Sequence, residues 1–478
     1  MGFPLVYDQN RVAIGLESIS IFSIVTIILF LVGVFLHVLA YQSLAPIGVC
    51  ILLFVLGSLL LVVLKANGRI EQKAYILTFS VCWVWAGVAA IYSNFFNDPQ
   101  QNLLDAAAFF ELATATSSQL GIAEIRALSE GAGAIVVWRA IYNVFSWIGF
   151  EKGRYIGIVT NILLVSMTCV LAVKMAKRLL GIGPAQLERL VVLFASCGIF
   201  WLFASMHLRD AAVLFCVTLL IYFWVRYLDD QNTRNLMLLV AASIVESAVL
   251  ALFRTEFVFV PLAMFAAGLA AVITVRSQKD RWLSKVVIVS IATFALSVFL
   301  LLYKLELFDV VSRGYEAYTL RAAEKNDVSS LGLDLIVDAP LPIRLIAGTV
   351  YLYVFPIPMW SGFQLSSVYE LLKSLNALYL YFVLPLAILG AGRIVGNKLI
   401  RSPPALFLLF VWIGFSIAVA GTSLETRHVG VFMVPLLIFA TVPDLADLKD
   451  RNAYIVWLLL FLVAVALIHL TWGVLKLA

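Results

Sequence analysis

Residues 45–64 read APIGVCILLFVLGSLLLVVL and end on Lys65. No charged side chain interrupts the run. At 1.5 Å of rise per residue, a helix of this length covers about 30 Å, the thickness of a bilayer's hydrocarbon core. Comparable runs recur along the chain, near 17–40, 45–65, 74–94, 155–173, 189–205, 210–228, 235–252, 256–275, 285–303, 370–392, 404–421, 429–443 and 453–473. They lack period-two alternation, which argues against a transmembrane β-barrel. The expected fold is all-α: a polytopic integral membrane protein of about 13 transmembrane helices, with juxtamembrane helices on the outer face.

The composition agrees with that reading. Of 478 residues, 63% are apolar and only 13% charged, with a net charge of +5. Lysine and arginine cluster at the ends of alternate runs, which marks cytoplasmic loops rather than a nucleic-acid surface. Lys65, Arg69 and Lys73 form one such cluster; Lys174, Lys177, Arg178 and Arg189 another. Arg226 with Arg234, then Arg276 to Lys285, Arg393 to Arg401, and Lys449 with Arg451 complete the set. The first run has no small-residue cleavage site and reads as a retained anchor. All five cysteines fall inside apolar runs, which argues against a disulfide framework and against zinc.

The parity of these loops requires that two apolar stretches do not cross. One is 133–150, which carries Arg139 and Asn143 among tryptophans as an interfacial helix does. The other is 343–362, where Pro356 and Pro358 break a helix. The chain then divides into N-terminal transmembrane helices (1–94), an outer loop with juxtamembrane helices (95–154), a central bundle (155–303), a second outer loop with a Pro-rich half-buried segment (304–369) and C-terminal helices (370–478).

Four arginines end apolar runs on the outer side: Arg209, Arg254, Arg427 and Arg344. Arginine in hydrocarbon costs about 2.5–3.5 kcal/mol on insertion scales, so such residues tend to be functional. Several on one face suit a phosphate-bearing, lipid-linked ligand. Asp210 beside Arg209 caps the next helix or joins this site, and His207 lies two residues before the arginine. Glu256 shares the short turn of Arg254. Arg427 and His428 enter a run kinked by Pro435, where the histidine is a phosphate donor, a proton shuttle or a plain interface residue. Asp105 opens an alanine-rich run, either as an N-cap or as a general base at the membrane surface. Glu246 lies inside an apolar run and is paired, protonated or part of an ion path. There is no phosphate-binding loop, dinucleotide fingerprint, HExxH or CxxC motif. No metal-ligand spacing is diagnostic, which leaves a divalent cation open.

Read in order, these pieces form a set. Asp105-x3-Phe109-x3-Ala113 comes first, then Ser205-Met-His-Leu-Arg209-Asp210 and Phe253-Arg254-Thr-Glu256. Pro356-Ile-Pro358-Met-Trp360 follows, then Gly421-Thr422 leading to Arg427-His428 and Pro435. Over residues 95–440 the chain resembles the multi-spanning glycosyltransferase-like proteins of bacterial polysaccharide gene clusters, related to the C-type glycosyltransferase fold. The resemblance implies a catalytic acid in the first outer loop, flanked by two juxtamembrane helices at 100–118 and 133–150. It also implies a polyprenyl-phosphate-linked sugar donor. The chain has Phe109 where the family pattern has tyrosine, and an added N-terminal hairpin of spans before the acid loop where the family core has one span.

The expected function is transfer of a sugar or oligosaccharide from a polyprenyl-(pyro)phosphate carrier at the periplasmic face of the bacterial inner membrane. Asp105 and His428 would be catalytic. Arg209, Asp210, Arg254, Glu256, Arg427, His207 and Arg139 would bind substrate. The partners would be that carrier and membrane lipids, with no nucleic acid. An O-antigen-type repeat-unit polymerase is the alternative. A lipid-linked oligosaccharide or ion-coupled transporter, for which Glu246 is the best feature, is a second.

Overall fold

In a computed structural model, residues 9–96, 104–115, 132–179, 182–254, 257, 259–277, 336, 339–364, 367–396, 402–422 and 424–477 are described. They form an all-α, polytopic bundle, with no strand among them. Among the described residues, ten helices are long and apolar enough to cross a membrane, and one bent pair raises the number to eleven. Every backbone amide inside hydrocarbon must be bonded within its own segment, which is why apolar runs of this length form helices.

The order is α1 (Gln9–Tyr41), α2 (Ala45–Val63), α3 (Arg69–Phe95), α4 (Leu104–Thr114), α5 (Ala132–Trp147) and α6 (Arg154–Ala176). Next come α7 (Pro184–Ala195), α8 (Gly198–Ser205), α9 (Asp210–Asp229), α10 (Thr233–Phe253), α11 (Val260–Ser277) and α12 (Leu341–Val354). The chain ends with α13 (Val368–Gly396), α14 (Pro403–Thr422), α15 (Thr426–Gly430), α16 (Val434–Thr441) and α17 (Leu448–Leu477). The most buried of the long helices is α6, which packs between α3 and α9, while α1, α10 and α17 present mostly apolar surface outward.

Three of the expected spans differ from single long helices. The run 189–205 is the pair α7 and α8, bent by 52° at Ser196–Cys197. The bend is held from outside and from within: Asn376 Oδ1 accepts the amide of Ile199 at 3.0 Å, and Trp201 Nε1 in α8 donates to the carbonyl of Ala195 in α7 at 2.6 Å. Gly198 makes this possible, because a Cβ there would meet the Asn376 backbone at 2.8 Å. The run 256–275 begins only at Val260, and 429–443 is broken into α15 and α16. The expected span 285–303 lies outside the described residues.

The Pro-rich stretch satisfies the length and composition of a span over Pro342–Phe363. Its contacts describe a different path. Arg344, in the first turn of α12, donates to the Gly421 carbonyl at the end of α14. Deeper, the Tyr353 hydroxyl meets Ser416 at 2.6 Å, and Tyr381 donates to the Val354 carbonyl. Beyond the prolines a 3₁₀ turn, Met359–Gln364, comes back to the start of α13, where the Gly362 amide meets Ser374. Both limbs are anchored in the same half of the bundle, so the segment enters and returns. Two successive X-Pro bonds remove amide donors and end α12 at Val354.

One end of the bundle is laced by ion pairs between helix ends. Lys73 meets Glu188 and Lys177 meets Glu71, each at 2.6 Å, and Arg178 meets Asp229 at 2.7 Å. Arg189 donates to the carbonyls of Thr441 and Pro443, and Arg393 pairs with Asp450. These are the lysine- and arginine-rich loops expected to share one side. Asp450 is fully buried and also accepts the Asp444 amide. Removing one partner of a buried pair strands the other charge, at about 3–5 kcal/mol. Arg393→Met is therefore expected to lower the unfolding temperature in detergent by several degrees, while ligand binding at the opposite end stays unchanged.

Candidate functional site: a buried cationic cluster at the opposite end

The corner between α8 and α9 is fixed by a residue with no signal in the sequence. Asn161, inside α6, donates through Nδ2 to the carbonyls of Met206 at 2.8 Å and Leu208 at 3.1 Å. This pins the extended segment that presents His207, Arg209 and Asp210. Asp210 is the first residue of α9, where the helix dipole favours its negative charge.

Arg254 occupies the centre. It caps the end of α10 and is 5% exposed. Its Nη2 donates to Asp210 Oδ1 at 2.9 Å, and its Nη1 lies 2.5 Å from His428 Nε2. A guanidinium only donates, so His428 Nε2 accepts and the imidazole proton sits on Nδ1. Burial, and then the charges of Arg254, Arg427 and Arg209, hold His428 well below the usual imidazole range. The three arginines therefore all act on one neutral histidine. Arg209 also donates to the Phe253 carbonyl at 2.7 Å, the residue before Arg254, and lies over the ring of Phe109.

A second group of charges adjoins the first. Glu425 precedes α15, and its carboxylate meets Lys373 at 3.9 Å and the Tyr369 hydroxyl at 3.3 Å. Lys373 also meets Glu370 at 3.6 Å and covers the rings of Tyr369 and Phe355. Burial alone would raise the Glu425 carboxyl, but Lys373, Arg427 and the Tyr369 hydroxyl outweigh it and hold it below the usual range. Lys373 and Glu370 stand in a run that reads as a plain span, and their acid–base pairing is the one signal that would have exposed them. Glu425 stands in the Gly421-to-His428 motif, two residues before Arg427.

The remaining expected residues are placed as follows. His207 is 3% exposed and shares a hydrogen bond with the Tyr142 hydroxyl at 3.0 Å. Burial, and then the charge of Arg154, lower it to about 3. Arg139 donates to the Leu112 carbonyl at 2.8 Å and ties α5 to α4. Asp105 is the second residue of α4, but its side chain lies outside the described residues, as does Glu256. The helix that carries Asp105 nevertheless borders the cluster, through Phe109 under Arg209 and Phe110 edge-on to His207. Glu246 is buried in α10, away from Arg254 by two turns of helix. No group of three metal-ligating side chains occurs among the described residues.

Both histidines are neutral in the fold, which sets a pH dependence. Unfolded, each protonates near 6.5; folded, His207 does so only at about 3. Their depressed values add stability above pH 6.5 that is lost as pH falls toward 3. Thermal unfolding between pH 8 and pH 4 is expected to show a falling midpoint below about pH 6.5, and Tyr142→Phe with His207→Phe should flatten that fall.

Chemically, the cluster offers convergent guanidinium donors, a neutral imidazole donor and carboxylates, recessed behind apolar helices. Such donors suit an anionic, multi-oxygen group more than a flat or apolar one. Comparison of the chain with protein-family models, with characterised proteins and with solved structures finds no match.

Proposed function

We propose that the protein is a membrane glycosyltransferase. It moves a sugar or oligosaccharide from a polyprenyl-(pyro)phosphate carrier to an acceptor at the periplasmic face of a bacterial inner membrane, in polysaccharide or glycolipid synthesis. The observation that carries the reading is the convergence of Arg254, Arg427 and Arg209 on neutral His428, at the end of the bundle away from the lysine-rich loops. The positive-inside rule puts those loops in the cytoplasm and the cluster outside. The thirteen crossings expected from the sequence satisfy that parity.

In this reading the guanidinium groups hold the phosphate that leaves the sugar. Charge builds on that group as the glycosidic bond breaks, and fixed donors aimed at it lower the barrier. The neutral Nδ1–H of His428 is a further donor. A carboxylate must take the acceptor's proton, and the family resemblance puts that role on Asp105.

The test uses the purified protein in proteoliposomes with undecaprenyl-diphosphate-linked oligosaccharide, labelled in the sugar. Label is expected to leave the lipid carrier and join a saccharide acceptor. Label that stays on the lipid, or lipid that crosses the bilayer intact, would sink the reading; the second outcome would favour a transporter.

A further inference from the structure

The central ion pair is incompletely satisfied. Arg254 uses Nη1 and Nη2, while its Nε has no hydrogen-bond partner among the described residues. Asp210 is 1% exposed; Oδ1 is taken by Arg254, and Oδ2 likewise has no partner among the described residues. Buried polar atoms are nearly always bonded, so an orphaned donor and acceptor in one buried pair call for an explanation. A ligand that meets both is one.

The two atoms specify that ligand differently. A guanidinium N–H needs an acceptor, and an ionised carboxylate needs a donor proton. A fully ionised phosphate satisfies Arg254 and is repelled by Asp210. A hydroxyl adjoining a phosphate satisfies both. The other carboxylate near the cluster is engaged, since Glu425 Oε1 faces Lys373 and the Tyr369 hydroxyl.

We infer that Asp210, rather than Asp105, is the general base for the acceptor hydroxyl. The inference rests on the transfer reading above. Asp210 Oδ2 takes the hydroxyl proton as the acceptor oxygen bonds to the sugar's anomeric carbon. The bond from that carbon to the carrier phosphate breaks, and its electron pair leaves on the phosphate, held by Arg254 and Arg427. The proton then passes from Asp210 to solvent, and the (pyro)phosphorylated lipid departs. Asp210 pairs with Arg254 at the end of α10, follows Arg209 in the chain, and acts on Glu425, which is itself held by Lys373 and Arg427; Arg254 links it to His428. His428 cannot compete for the role, because its Nε2 is occupied by Arg254.

The test compares Asp210→Asn, Asp210→Glu and Asp105→Asn in the same proteoliposomes with undecaprenyl-diphosphate-linked oligosaccharide. Asp210→Asn is expected to lower kcat by about 10²–10⁴-fold, the usual range for a lost general base, with the donor's KM within about threefold. Its residual rate should lack the acid limb of the wild-type pH profile. Asp210→Glu should recover part of kcat with a displaced limb, and the loss in Asp210→Asn should far exceed the loss in Asp105→Asn. Turnover of Asp210→Asn within about threefold of wild type would overturn the inference. So would an acid limb left in place in Asp210→Asn, or the large loss appearing in Asp105→Asn instead. Should Asp210→Asn fail to fold, an undisplaced limb in Asp210→Glu overturns it. A wild type that transfers nothing sinks the transfer reading itself, whereas transfer that survives Asp210→Asn sinks only the base.

Discussion

Arg254→Ala is expected to abolish detectable sugar transfer, a loss of at least about 10³-fold. Two effects combine. The substitution removes the donor at the centre of the proposed phosphate site, and loss of one such donor costs about 10²–10³-fold in rate. It also leaves Asp210 and His428, 1% and 6% exposed, without the group that joins them. Stranding a buried carboxylate costs about 3–5 kcal/mol of stability, so the unfolding temperature should fall as well. The two effects can be separated. Arg254→Met with Asp210→Leu removes both charges and is expected to recover much of the stability, because a buried ion pair contributes little over an apolar one. Binding of undecaprenyl phosphate, read by native mass spectrometry, should stay lost in that double variant. Arg254→Lys should not rescue binding, since an ammonium cannot bridge Asp210 and His428 in the plane of a guanidinium. Undiminished lipid binding in Arg254→Ala would remove the arginine from the site.

Lys373→Met is expected to produce the second large effect, on stability and acid sensitivity more than on lipid binding. The Lys373 side chain is 10% exposed, and it separates Glu370 and Glu425 while covering Tyr369 and Phe355. Its removal breaks both ion pairs and frees the base of the returning Pro-rich segment, at about 3 kcal/mol. The pH dependence has a defined sign. The Glu425 carboxyl is held below its ordinary value of 4.5. It therefore adds stability above that value, which is lost as pH falls through the lowered one. Without Lys373 the lowering shrinks, and the acid-unfolding midpoint should move up. Thermal unfolding at steps between pH 3 and pH 7 measures this, and an unmoved midpoint would show that Lys373 does not hold Glu425.

The helical, multi-spanning character was legible because it depends on local composition alone. Runs such as 45–64 have one stable answer in hydrocarbon. Breaks inside the runs were less legible because their causes lie elsewhere in the chain. The bend at Ser196–Cys197 contains no proline; it exists because Asn376 caps the amide end of α8. The short helices α15 and α16 flank Val431–Met433, a stretch as apolar as its neighbours. At the site, charge scarcity drew attention to Arg209, Arg254, Arg427 and His428, and they do lie together. Charge scarcity could not rank them, and Arg254 is the one that joins Asp210 to His428. Neutral groups gave no such signal. Asn161, which pins the corner of Arg209, is one asparagine within an apolar run, and only the fold shows what its amide meets. Arg344 and Arg139 look alike in sequence yet bind backbone carbonyls that hold neighbouring helices.

The account depends on an anionic headgroup docking at the arginine-rich end. A cryo-EM structure of the protein in lipid nanodiscs with undecaprenyl phosphate tests this most directly. The account expects phosphate density within hydrogen-bond reach of Arg254 and Arg427, with the isoprenoid tail running from the cluster into the bilayer. Phosphate density among the lysine-rich helix ends, with Arg254 still closed on Asp210 and His428, would contradict it.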